Sequence, residues 1–415
     1  MKILFDFSFE TPVSYREGIC VYNSMLFHAL LESYKDLEIE IYTHEINIPT
    51  LQESLKTSLK KYKNRIHFIT PTTNSLKDLI AKSKADIAFS DIVALTNTHL
   101  FSGPKVFMLH DLLTIPLANL FKSLVPDIKG LNQKTIENLK QYIKENTHFV
   151  TGTPYIRNKH FFKYISNKDN CTVIHYPPML HDYSKTQLTP EKDIREKFGI
   201  TGPYTFYPSQ NRPNKNLILL LKALKRLKDK NINFTLVTTG KIETLRETLE
   251  YVQQNNLQDR IIETGSISEQ ELYTLYKYSS IAVVTTIMEG PGMPQQVLEP
   301  LTIGNIPVIC TKCFGVKESL TTFGLFPENI DLNWIDITDD KGLANKIKKV
   351  LSNPLPHIEK QKHIIDAYIK RSWKDVAHDY MTIFKKICKD KKAHNTSLFQ
   401  KILNILSKLT PIIIF

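Results

Sequence analysis

Cysteine is scarce in this 415-residue chain: Cys20, Cys171, Cys310, Cys313 and Cys388 form an odd, scattered set of five. Such a set makes no disulfide framework and suits a reducing compartment. Cys310 and Cys313 are a lone C-x-x-C with no second pair and no nearby histidines, so they read as two small residues at a strand end and no metal site is expected. Long apolar runs are missing too, and none reaches the ~18 residues that a membrane-crossing helix needs. The opening MKILFDFSF is too short for a signal peptide and reads as a strand. No G-x-G-x-x-G follows that strand, which excludes a nicotinamide-dependent dehydrogenase. Acidic residues are in deficit: 54 Lys and Arg stand against 42 Asp and Glu, for a net charge of +12. A basic excess suits nucleic acid, an anionic membrane or phosphorylated substrates. No helix-turn-helix, zinc-finger or aromatic RNA-binding signature accompanies it, so no nucleic-acid partner is expected.

What is present is the composition of a soluble globular protein, 42% hydrophobic and 23% charged, long enough for two α/β domains. The most informative stretch is Val283 to Ile309, VVTTIMEGPGMPQQVLEPLTIGNIPVI. The apolar run Ile281 to Val284 predicts a buried strand. It breaks at Met288-Glu289 into the turn Gly290-Pro291-Gly292 and resumes as a helix from about Pro294 to Ile303, which Gly304 and Asn305 stop. A strand, a glycine turn and a helix in that order aim backbone N–H groups and the positive helix end at one spot, where phosphates bind. The glycines let the backbone approach a ligand with no Cβ in the way. Glu289 and Glu299 flank the turn. A turn of this kind is common in α/β proteins and by itself assigns nothing.

Other stretches point to the same end of a sheet. Lys2 to Phe7 predicts a first strand; the loop after it carries Arg16, Glu17 and Gly18, which would contact a ligand or form a solvated face. The strand Lys105 to Leu109 runs directly into His110-Asp111. Groups at the carboxyl ends of strands in open α/β sheets face the ligand crevice. Tyr204 to Tyr207 predicts a strand ending in PSQNRPNKN, followed by a helix with Leu217, Leu220, Leu221, Leu224 and Leu227 on one face. Arg212 and Lys215 thus lie between a strand end and a helix start. Arg260 to Thr264 predicts a strand and Gly265-Ser266-Ile267 a turn before a helix. Thr135 to Glu145 reads as helical, and Gly315 to Glu318 as a further turn facing the crevice.

The glutamates, glycines and prolines of Glu289 to Ile309 resemble the E-G-x-G-x-P…E…G-x-P-V-I motif of retaining glycosyltransferases of the GT-B fold, the "glycosyl transferases group 1" or family-four type. The P-S-Q-x-R-P-x-K-N loop is similar to a variant in bacterial members. The resemblance implies two Rossmann-like α/β domains facing across a cleft and transfer of a sugar from a nucleotide-diphosphate donor with retention, requiring neither metal nor cofactor. It gives residues 1–185 to an acceptor-side domain, 190–368 to a donor-side domain and 369–388 to a closing helix that crosses back. It implies that Gly290, Pro291, Gly292 and Met293 meet the donor's diphosphate and sugar and that Lys215 and Arg212 neutralise the departing diphosphate. Glu289 would touch the transferred sugar and Glu299 the ribose. His110 would reach the donor sugar, Gly18 would face the site from the first domain, and the Gly265 turn would lie against the nucleotide base. The acceptor would be a glycan or a lipid-linked molecule.

Two features depart from the family. Nine residues separate Glu289 from Glu299, two more than its usual spacing, with the extra pair near Gln295-Gln296; and the first loop has a single glycine. These support an alternative, a catalytically degenerate nucleotide-sugar-binding protein or a partner subunit of a glycosyltransferase. The stretch 389–415 also departs: Lys389, Lys391 and Lys392 precede SLFQKILNILSKL, which puts Leu398, Ile402, Ile405, Leu406 and Leu409 on one helical face. That pattern predicts either a helix at an anionic membrane surface or one packed on protein. The location expected is the cytoplasm, peripheral at the inner face of the membrane.

Overall fold

The computed structural model describes residues 1–8, 18–69, 76–91, 97–122, 126–143, 147–166, 168–177, 179, 186–289, 295–313, 315–322, 324–325, 329–368 and 370–390. The tail from 391 onward, which carries the expected amphipathic helix, lies outside them.

The first sheet has seven strands: β1 (Lys2–Asp6), β2 (Glu38–Tyr42), β3 (Ile66–Ile69), β4 (Ile87–Ser90), β5 (Lys105–Leu109), β6 (Thr147–Thr151) and β7 (Cys171–Val173). Their order is β3-β2-β1-β4-β5-β6-β7, and every pairing is parallel. Ile3, Leu4, Phe5, Ile87, Ala88, Phe89 and Val106 to Leu109 are all buried. A parallel sheet is covered on both faces, which is why these strands read as unbroken apolar runs rather than alternating ones. Strand order reverses between β1 and β4, so the crevice opens where their chains leave the sheet. The helix Gly18–Ser33 covers one face with Tyr22, Leu26, Phe27, Leu30 and Leu31.

The second sheet is built from β8 (Tyr204–Tyr207), β9 (Thr235–Thr238), β10 (Ile261–Glu263), β11 (Ala282–Val284) and β12 (Val308–Cys310). Strands β10-β9-β8 pair in parallel, as do β11 and β12, and a parallel bridge from Thr205 to Ile281 joins the two sets. The direction of winding reverses between β8 and β11. The helix Leu217–Asp229 buries its leucine face against this sheet. The last of the described helices, 373–390, returns to the first domain and places Val376, Ala377, Tyr380, Met381 and Phe384 in its core.

Two helices differ from the sequence expectation. The helix expected over Thr135–Glu145 spans Ile128–Tyr142, because Asp127 caps it by accepting the Gly130 N–H at 3.2 Å. The helix expected from about Pro294 to Ile303 is, over its described residues, α-helical through Gln295–Glu299 and then widens into a π-helical turn, Pro300–Gly304. Pro300 has no N–H to donate and its ring crowds the preceding turn. The wider turn relieves both, and such bulges recur at functional sites.

Candidate active site

The crevice between the sheets is lined by the carboxyl ends of β1, β5, β8 and β11. On the second-domain side the loop after β8 is bonded to the segment after β11. Tyr207 Oη donates to the Lys215 carbonyl at 3.0 Å, as does Thr285 Oγ1 at 2.8 Å. The Asn214 carbonyl accepts from Thr286 Oγ1 at 3.0 Å and from the Ile287 N–H at 2.8 Å. Asn216 adopts the left-handed conformation, φ 51°, and starts the next helix. This bonding fixes Lys215 beside Glu289: Nζ and Oε1 are 2.6 Å apart, and both side chains are largely buried. Arg212 is exposed, and its Nε donates to Gln210 Oε1 at 3.0 Å. Gly240 closes the same loop: a Cβ there would stand 2.3 Å from the Ser209 carbonyl oxygen.

Glu289 has a second support. Gly315 has φ +92°, and a Cβ on it would stand 2.0 Å from the Glu289 carbonyl oxygen. Its N–H donates to Glu318 Oε2 at 2.6 Å. The turn after β12 is therefore the bed on which Glu289 rests, and only glycine fits there. Gly290, Pro291, Gly292 and Met293, the expected phosphate turn, lie outside the described residues.

Glu299 stands where the α-helical segment meets the π turn. Its carboxylate accepts from Tyr276 Oη at 2.5 Å. Although it keeps some contact with solvent, burial pushes its carboxyl up to about 7, against the opposing pull of the tyrosine hydrogen bond. Gln295, one of the two residues beyond the family's spacing, reaches the other domain: its Oε1 accepts the Met179 N–H at 3.0 Å. Met179 in turn lies against Gly18, its Cε 3.5 Å from where a Cβ would be. Gly18 is thus at the crevice, at the start of the first helix. Gly265 turns the chain with φ +65° between β10 and the next helix, and no atom of the described residues crowds the place a side chain would take.

From the first domain His110 ends β5. It is buried, its Nε2 has no hydrogen-bond partner among the described residues, and the Tyr22 ring meets it edge-on with centroids 5.0 Å apart. Burial lowers the imidazole to about 4, so it is neutral at physiological pH. Asp111 beside it is raised chiefly by burial. The Leu113 N–H, 3.0 Å away, opposes that rise; Glu289 adds to it, and Lys215 and Arg212 oppose it. The charges of the two domains therefore meet across the crevice. His160 Nδ1 accepts the Leu112 N–H at 2.9 Å and holds this turn in place. Among the described residues no group of three or more His, Cys, Asp or Glu side chains is placed to hold a metal.

Two doubly wound α/β domains with their strand ends facing, and a helix returning from the second to the first, define the GT-B architecture. Residues 190–371 match the family model "Glycosyl transferases group 1". A glycosyltransferase of Rickettsia africae superposes over 94% of this chain and 98% of its own, with TM-score 0.62 and 19% identity. Anabaena HepE, solved with UDP and glucose, superposes over 95% of this chain and 100% of its own, with TM-score 0.60 and 15% identity. At such identities the likeness is one of fold. In sequence the chain is 28% identical over 160 residues to an uncharacterized glycosyltransferase of Methanocaldococcus jannaschii. That stretch is 36% of this chain and 37% of the relative, a little over a third of its length.

Proposed function

We propose that the protein transfers a glycosyl group from a nucleoside-diphosphate sugar, with retention at the anomeric carbon and without a metal. The observation that carries the reading is the Lys215–Glu289 pair at 2.6 Å, with Arg212 beside it and His110-Asp111 opposite. Breaking the bond between sugar and diphosphate leaves negative charge on the phosphate oxygen. Fixed cations stabilise that charge most where water is scarce. An ammonium has three donors, so one directed at Glu289 leaves two for phosphate. The bond electrons go to the diphosphate, whose freed oxygen takes the proton of the incoming acceptor hydroxyl on the same face of the sugar. Retention then needs no protein nucleophile. In this reading Glu289 serves the reaction by orienting Lys215 and by facing the positive charge that develops on the sugar. His110, neutral and with no partner for Nε2 among the described residues, hydrogen-bonds a sugar hydroxyl. Gly18 and the Gly290–Met293 turn close on the diphosphate from either side, and Glu299 and the Gly265 turn hold the nucleoside. The acceptor is a glycan or a lipid-linked molecule, and the basic tail brings the enzyme to an anionic membrane surface.

The test uses the purified full chain with UDP-, GDP-, ADP- and dTDP-sugars. A donor that binds the folded state raises the melting temperature, and transfer or slow hydrolysis releases the nucleoside diphosphate. Proton NMR of the product's anomeric signal reads retention. Binding without any turnover would favour a degenerate partner subunit. Absence of binding by every nucleotide sugar would overturn the reading.

A further inference from the structure

We propose that Tyr276 is a positioning residue for the donor: its hydroxyl holds one oxygen of the Glu299 carboxylate and leaves the other, Oε1, for a ribose hydroxyl. The inference rests on the functional reading above, in which Glu299 meets the ribose. It starts from a weakness in the local backbone. Glu299 is followed by Pro300, and the helix widens there into a π turn. A carboxylate at such a junction has no regular helical neighbour to set its orientation, and a side chain with three rotatable bonds is costly to order. Tyr276 supplies what the helix does not.

Both ends of Tyr276 are fixed. Its side chain is buried, with its ring edge-on to Phe206 at 4.9 Å between centroids. Its carbonyl accepts from Ser279 Oγ at 3.0 Å, and the same oxygen lies 3.0 Å from where a Cβ on Gly304 would stand. Gly304 closes the π turn. The segment 295–304 that carries Glu299 and the helix Glu269–Lys277 that carries Tyr276 are therefore seated against each other at two points, Gly304 on the Tyr276 backbone and Glu299 on its hydroxyl. That helix begins just after the Gly265 turn, with a Ser268–Glu271 capping box. One rigid element thus links the turn assigned to the base with the carboxylate assigned to the ribose.

The arrangement has a measurable signature. Tyr276 donates to the charged form of Glu299 and so favours it. Among the described residues Tyr276 is the titratable group that shifts Glu299, the rest of the effect being burial. Tyr276→Phe keeps the ring and its packing and removes the donor. Glu299 then holds its proton to higher pH, and donor binding, which needs the carboxylate as acceptor, is lost at higher pH than in the wild type.

The experiment measures the affinity of the full chain for the four nucleotide sugars named above between pH 5.5 and 8.5, a range in which a doubly esterified diphosphate does not titrate. Tyr276→Phe, Glu299→Gln and the double variant are compared with the wild type. The expected result is about tenfold weaker binding for Tyr276→Phe at pH 7, the scale of a hydrogen bond to a charged group. It is seen in KM rather than kcat, with the pH midpoint moved upward. In the Glu299→Gln background the same change has no further effect. A loss equal at every pH, or equal in the Glu299→Gln background, makes Tyr276 merely structural and overturns the proposal. Carboxyl carbon NMR of Glu299, identified by its absence in Glu299→Gln, follows the titration without a donor. An unchanged midpoint in Tyr276→Phe also overturns it. If the wild type binds none of the sugars while the NMR midpoint moves, the functional reading fails and the proposal with it, but the Tyr276–Glu299 coupling stands as a fact of the fold.

Discussion

Replacing Gly315 by alanine tests whether the turn after β12 holds Glu289 in place. The added Cβ would stand 2.0 Å from the Glu289 carbonyl oxygen and 2.8 Å from its carbonyl carbon. Even close C–H···O contacts keep about 3.3–3.6 Å between carbon and oxygen, so one of the two segments must move by more than ~1 Å. The backbone adds its own penalty: φ is +92°, and a left-handed conformation costs a residue with a Cβ roughly 1–2 kcal/mol. Crowding a packed site adds typically ~1–3 kcal/mol, for a total loss of about 2–5 kcal/mol. Gly199 provides the control. It too has positive φ, +68°, but a Cβ there meets nothing within 4 Å among the described residues, so Gly199→Ala carries the backbone strain alone. Urea unfolding of both variants isolates the steric part. Turnover of donor reads its effect on the site, because displacement of Glu289 breaks its 2.6 Å contact with Lys215. Misplacement of ~1 Å can cost about 10²-fold in rate. Gly315→Ala should therefore lose activity on that scale while Gly199→Ala keeps it. Wild-type turnover, with no more destabilisation than in the Gly199 variant, would refute the reasoning.

Three further outcomes are expected. Lys215→Ala should lower kcat by ~10²-fold or more at saturating donor, the scale of removing one electrostatic stabiliser of the transition state; steady-state kinetics check it, and near-normal kcat would remove Lys215 from the diphosphate site. In the absence of donor, Glu299→Gln should be more stable than the wild type at pH 8, and the gap should close as pH falls toward 4. The folded protein holds the Glu299 proton up to about 7, above the ordinary glutamate value of about 4.3. Wild-type stability is therefore full at low pH and falls as pH rises through that window, by up to about 4 kcal/mol at ~1.4 kcal/mol per unit; melting at pH 4 to 8 reads it. A chain ending at residue 390 should melt like the full chain and no longer sediment with anionic vesicles. One ending at 372 should lose the first domain's fold, since it deletes Tyr380, Met381 and Phe384 from that core.

The two sheets were legible because parallel strands buried on both faces leave apolar runs, as in Lys105–Leu109 and Tyr204–Tyr207. The loop cations and the strand-end His110 were visible because each lies at the end of such a run. Tyr276 was not visible: within EQELYTLYK it has the spacing of any core aromatic, and only the position of a carboxylate 23 residues later gives its hydroxyl a role. Gly315 carried a faint signal, a glycine just past a strand, but its seat under Glu289 is a contact between loops distant in sequence. The widened turn at Pro300 was legible in principle, since proline inside a helical pattern distorts the helix. The span read as one helix because its apolar residues keep the period on both sides. Gln295 was read as part of a spacing anomaly; its bond to Met179 shows that residue engaged across the crevice.

The polypeptide passes between the two domains twice, after β7 and again just before the last helix, and Arg371 brings the passages together. Its Nε donates to the His175 carbonyl on the first passage, and its guanidinium pairs with Asp379 on the returning helix. Two crossings stapled at one place act as a single pivot. Separate, distant crossings would leave the halves freer to twist; crossings joined at Arg371 tie both domains to one point. The strand ends bearing His110 and Lys215 are thereby held in register across the crevice, with the Met179–Gln295 bond as a further tie between the domains.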